Sequence, residues 1–239
     1  MKHQQIAALL CLLTVLGSQQ FLFGQKTELR LNAFSGLFSF RGEGAASTSW
    51  INFNPYISPE KFTSNPYGRK SGFSYTFELQ GQRVTKARNI YGIAIGFETL
   101  RSRVNIDTLT QNGFIYWQFP ARGNTFLKNT FVTIHPYIGH RYVYRKINFD
   151  LLAGCDFAFC LESRELGNAT ANDMGYDLAV DNIKSKPVVD VRPGVRIKTQ
   201  LNKFGFIAGY SLGLTNYQTQ NNPKVYSSFL RLGFSYQVK

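Results

Sequence analysis

Few side chains in this sequence are of types that do chemistry. Beyond residue 25 there are two histidines, His135 and His140, and neither has a Gly-x-Ser-x-Gly serine or a His-Glu-x-x-His partner. Hydrolysis by a nucleophile or a bound zinc would ask for one of those settings. Cys155 and Cys160 are separated by an odd interval, which on an unbroken strand sends them to opposite faces and prevents pairing. They read as small apolar residues. Asp173, Asp177 and Asp181 recur every four residues around Met174 and Leu178. That spacing is not a calcium loop and fits a solvated face with a turn or two of helix. No catalytic residue, metal site or cofactor is expected.

What remains is a set of charges spaced by two. Glu28, Arg30, Glu78, Glu98, Asp156, Asp190, Arg192, Arg196, Lys198 and Arg231 alternate with apolar neighbours. If those segments are strands, the charges share an inward face. They must then pair, because an isolated buried charge costs several kcal/mol (~5 or more) to desolvate. The expected pairings are Arg231 with Glu28, where the last strand meets the first, and the Asp190–Lys198 segment with Asp156. The product is an interior plug of ion pairs, with no wide pore.

The elements that must hold these residues are visible in the alternation. Val189, Val191, Pro193, Val195 and Ile197 interleave with Asp190, Arg192, Arg196 and Lys198. Phe204, Phe206, Ala208, Tyr210, Leu212 and Leu214 interleave with glycines and Ser211, and Leu230, Leu232, Phe234, Tyr236 and Val238 with Arg231 and small or polar residues. A period of two over such lengths is strand, not helix. The apolar face is aromatic-rich and the other is charged or tiny, as in a membrane barrel with lipid outside. The alternative is a soluble small-molecule-binding β-barrel or a sandwich, with the apolar face turned inward.

The same pattern recurs at Thr27–Phe38, Ser71–Gly81, Asn89–Leu100, Asn129–Tyr142 and from Phe149 to Phe159, which makes eight strands in all. Pro136 cannot donate to a ladder and should mark a bulge or irregularity. The links alternate in length: 41–70, 102–127 and 162–186 are long, while those near Arg83–Arg88, Tyr144–Ile147 and Leu201–Lys203 are short. Tight periplasmic turns and large external loops give this asymmetry. The predicted fold is all-β: a closed antiparallel eight-stranded transmembrane β-barrel of up-and-down order, with 41–70, 102–127, 162–186 and 218–223 outside the cell.

Residues 1–25 carry Lys2 and His3 before an apolar run from Ile6 to Leu16. That is a secretory signal peptide in outline, with cleavage near Gln25 and residues 26–239 forming the barrel domain. No later segment approaches the ~20 apolar residues of a spanning helix. The formal net charge of +13 is scattered over strands and turns, which argues against nucleic acid as a partner. Long links that are rich in aromatics are neither plain connectors nor simple disorder. Trp50, Phe53, Tyr56, Tyr67, Tyr116 and Trp117 are the candidate binding residues there.

Several strand patterns together resemble the outer-membrane β-barrel proteins of Bacteroidetes-type bacteria, in the broad PorT-like superfamily. They are Gly72 to Tyr75 leading through Gly81 to Lys86, Gly92 to Glu98, His135 to Gly139, and Leu232 to Tyr236. The resemblance implies a Gram-negative outer-membrane location, surrounding lipid and lipopolysaccharide, insertion by the barrel-assembly machinery, and in some members a part in secretion or gliding. The function expected is non-enzymatic: a plugged interior displaying long external loops for binding or envelope interaction. The alternative from another class is an adaptor for secretion or gliding machinery with envelope protein partners.

Overall fold

Alternation dictates the local structure, because each strand presents successive side chains to opposite sides of the sheet. In the computed structural model, which describes residues 26–54, 58–113, 116–171, 175–185, 187–218 and 223–238, that alternation yields eleven strands. They are β1 (Lys26–Arg41), β2 (Thr48–Asn54), β3 (Ser58–Thr63), β4 (Lys70–Val84), β5 (Asn89–Gln111), β6 (Trp117–Tyr144), β7 (Ile147–Ala171), β8 (Tyr176–Ile183), β9 (Val189–Leu201), β10 (Phe204–Leu212) and β11 (Tyr226–Gln237). The expected signal peptide at 1–25 and the candidate Tyr56 lie outside the described residues, as do Asp173 and Met174.

All eleven strands belong to one sheet. β1 pairs with β4 and β11, β4 with β5, β5 with β6, β6 with β7, β7 with β9, β9 with β10 and β10 with β11, all antiparallel. These eight therefore pair in a ring. The three others are additions: β8 on β7, β3 on β2, and β2 parallel to β5.

The expectation of a closed eight-stranded up-and-down barrel is thus corrected to an eleven-stranded sheet that includes a parallel pair. The difference lies in the long links, where clean alternation is missing from the sequence. Within 41–70 the chain forms β2 and β3. Nearly all of 102–127 is strand, in the upper parts of β5 and β6, and 162–186 holds the end of β7 and β8, so the turn of helix expected around Leu178 is strand. Pro136 marks an irregularity rather than a bulge. It stays in register opposite Ile93 and merely leaves the β6–β7 ladder unpaired locally, while the bulge falls at Thr130/Phe131.

The short links are tight. Arg145–Lys146 and Asn202–Lys203 join β6 to β7 and β9 to β10, and Arg145 (φ 54) and Asn202 (φ 53) take left-handed backbone there. Asparagine tolerates that region, whereas for arginine it is uncommon. These turns and the one before Asn89 define one end of the ring, and the long strand extensions define the other.

Candidate functional site

The inner side of the ring is mostly polar towards the turns, around a small apolar cluster of Val84, Ile90, Tyr137 and Leu152, and apolar where the strands extend. Nearest the turns, Arg141 of β6 bridges two acids. It meets Glu28 of β1 at 2.9 and 3.0 Å through Nη1 and Nη2, and Asp150 of β7 at 2.6 and 2.9 Å through Nε and Nη2. Such bidentate contacts are the strongest form of this pairing. Arg30 also donates to Glu28, and Lys198 Nζ stands 3.7 Å from Asp150. Gln82 donates to Glu28 at 2.7 Å, and Gln80 donates to the Tyr137 hydroxyl at 2.6 Å.

One layer up, Asp156 of β7 is the hub. Its carboxylate accepts from Arg231 at 2.6 Å and Arg196 at 3.2 Å, contacts His135 Nδ1 at 2.7 Å, and has Arg192 Nε at 3.8 Å. Arg196 also grips both oxygens of Glu78, at 2.8 and 3.0 Å. Arg192 donates to Glu98, while Asp190 accepts from the Tyr217 hydroxyl at 2.9 Å and Ser227 at 2.7 Å. Gly209 makes the crossing of the two long arginines feasible: a Cβ there would lie 3.0 Å from Arg196 Cγ and 3.3 Å from Arg231 Cγ.

Above the charges, the interior turns aromatic. Phe38, Phe40, Phe131 and Phe229 are buried with Leu100, Leu127 and Val225, and Tyr67 packs against them. Cations meet rings at the boundary: the Arg231 guanidinium lies 4.5 Å from the Phe229 centroid and Arg192 lies 5.4 Å from that of Phe131, within the range of cation–π attraction. A further apolar cluster, with Ile51, Phe53, Ile106, Leu109, Leu178 and Val180, fills the space between the strand extensions.

All ten charges marked in the sequence are buried inside the ring. Their pairing differs from expectation in one respect. Arg231 stands opposite Gly36, not near Glu28, because the β1–β11 register runs from Arg30–Gln237 to Arg41–Tyr226. Eight residues of strand, roughly 26 Å, separate Gly36 from Glu28. Arg231 therefore meets Asp156 and Glu78, and Glu28 takes Arg141 and Arg30 instead. Sequence reading missed Arg141 and Asp150. The signal was present, since Arg141 shares the parity of His135 and Tyr137, and Asp150 that of Asp156.

The loop candidates divide. Trp50, Tyr116 and Trp117 are exposed, whereas Phe53 is buried in the upper cluster and Tyr67 makes edge-on contacts with Phe40 and Tyr217. At the outer surface of the extensions, Asp181 of β8 accepts 2.6 Å hydrogen bonds from Nε and Nη2 of Arg164, which hold its carboxyl below the usual range.

Among the described residues the arrangement completes no hydrolytic triad. His135 and Asp156 resemble part of a triad, but the histidine Nε2 has no hydrogen-bond partner, and Asp156 is committed to three arginines. A triad needs a nucleophile on that nitrogen. Among the described residues, no group of three or more His, Cys, Asp or Glu side chains is set to hold a metal. Among the described residues, Cys155 and Cys160 form no disulfide.

Comparison with known proteins gave no matching family model and no matching curated protein. Among solved structures, the chain is similar to Neisserial surface protein A at 10% identity and a TM-score of 0.38, over 89% of this chain and 98% of that one. It is similar to the Yersinia pestis attachment invasion locus protein Ail, in complex with a heparin analogue, at 10% identity and a TM-score of 0.32, over 88% and 99%. The P. putida toluene transporter TodX follows at 9% identity and a TM-score of 0.27, over 91% and 90%. None of them supports the narrower PorT-like resemblance.

Proposed function

We propose that the chain is a non-enzymatic outer-membrane protein whose ring of strands stands in the bilayer, with a plug of ion pairs inside and its long strand extensions outside the cell. The observation that carries this is the inverted distribution of side chains. Arg192, Glu98 and Lys198 are fully buried, while Phe234 is 73%, Phe204 71% and Phe73 65% exposed. Outward apolar residues run in unbroken alternation on the adjacent β4 (Leu79, Phe77, Tyr75 and Phe73) and β5 (Tyr91, Ile93, Ile95 and Phe97), and on β11 (Leu230, Leu232, Phe234 and Tyr236). A water-soluble protein does not keep an apolar surface of that extent. Lipid accounts for it, and backbone satisfaction within the sheet permits it.

Residues 1–25 serve in this reading as the secretory signal, outer-membrane lipid including lipopolysaccharide surrounds the wall, and the barrel-assembly machinery inserts it. The filled interior argues against both a small-molecule cavity and a wide pore. Envelope partners or ligands are met at the exposed extensions, where Trp50, Tyr116 and Trp117 offer large contact area. Extraction and gel migration test the reading. The protein should leave the membrane fraction only with detergent, begin near Lys26, and run as a compact band that shifts on boiling. Recovery as a soluble protein without detergent, with no heat shift, would sink it.

A further inference from the structure

Beyond the apolar band, three neighbouring strands carry a row of basic side chains. Arg101 of β5 lies directly opposite Lys128 of β6, and Lys128 directly opposite Arg164 of β7. Each points out of the sheet, because the residues flanking it in its strand are buried. Arg103, next on the same face, stands opposite Lys70 of β4. Like charges directly opposite each other in adjacent strands are destabilising. Arg164 is offset by its two bonds to Asp181. Arg101, Arg103 and Lys128 have no carboxylate at ion-pairing distance among the described residues, and Glu162 is one row lower, opposite Thr130.

Below the row the same outward face changes character at once. Thr130 comes first, beside a covered Thr99, then Phe97, Val132 and Phe159. Four residues of strand, about 13 Å, lead from Arg101 to Phe97. A partner that matches both levels needs anionic groups above and hydrocarbon beneath. Phosphate suits the upper level, since guanidinium presents paired donors to it and lysine adds point charge.

We propose that Arg101, Lys128 and Arg103 bind the phosphate groups of a phosphorylated glycolipid of the outer leaflet, whose acyl chains lie along the wall below. This holds only if the wall stands in a bilayer, as proposed above. A soluble polyanion would satisfy the charges and leave the apolar level unused.

The test uses detergent-extracted full-length protein and purified lipopolysaccharide, intact or with its lipid phosphates removed enzymatically. The parent should bind the intact form at least tenfold more tightly than the dephosphorylated one. Arg101→Gln with Lys128→Gln should lose at least tenfold for the intact form while keeping the heat-shifted band. Lys86→Gln with Lys203→Gln, at the opposite end, should bind as the parent does. Should the double variant not fold, Lys128→Gln alone should weaken binding and Lys128→Arg should keep it. Equal affinity for the two glycolipids, parental affinity in Arg101→Gln with Lys128→Gln, or equally tight binding of an acyl-free sulfated polysaccharide would overturn the site. Those failures leave the heat-shifted band intact, whereas failure of the membrane reading removes it.

Discussion

At the scale of single residues, Asp156 is the position on which the interior depends most. Three arginines and His135 converge on its carboxylate, and removing one partner of such a group leaves the others charged and buried. We expect Asp156→Asn to cost about 3–5 kcal/mol, read as a lower urea midpoint for protein refolded into lipid vesicles. Asp181→Asn removes a partner from a single exposed pair and should stay near the parent. Equal midpoints for the two variants would contradict the hub. Parity along the chain is enough to group Asp190, Arg192, Arg196 and Lys198 on one side of a strand, so the membership of this network is legible in the sequence. Partners are not, because they follow from inter-strand register. One-residue alternation carries no information on whether Arg231 sits level with Glu28 or with Asp156.

At the scale of the strand, β11 shows how depth and face divide the work. Leu232 and Ser228 both point outward, between buried Arg231 and Gly233 in one case and Ser227 and Phe229 in the other. Leu232 stands in the apolar band, opposite Ala208 and Ser35, whereas Ser228 is near the strand's start and bonds Tyr210 at 3.0 Å. Leu232→Arg should destabilise by about 2–4 kcal/mol and Ser228→Arg by roughly 0–1 kcal/mol, as expected for charge at mid-bilayer and at its edge. Vesicle refolding yield and urea midpoint measure both, and equal losses would erase the depth assignment. The wall strands are readable from sequence because each holds strict alternation. β2, β3 and β8 are not, since prolines and glycines interrupt the pattern around them. The feature that makes them strands is pairing with the extended β5 and β7, which is a tertiary effect on weak local signals.

At the scale of the whole molecule, the side chains follow one distribution: ion pairs low in the interior, aromatic residues above them, and an apolar band around the outside. Each layer implies the next. Charges can be buried because they pair, and the aromatic layer caps them through cation–π contacts at Phe131 and Phe229. In the proposed bilayer the outward band meets an apolar solvent. Fluorescence of a single tryptophan in that band tests this directly. In a Trp50→Phe, Trp117→Phe background, Phe234→Trp places the probe at one of the most exposed positions of the wall. Reconstituted into bilayers whose acyl chains are brominated, it should emit at short wavelength and lose most of its intensity, with aqueous iodide having little effect. Emission at long wavelength that iodide quenches and brominated lipid does not would mean that the aromatic face meets water, and the proposed membrane setting would be wrong.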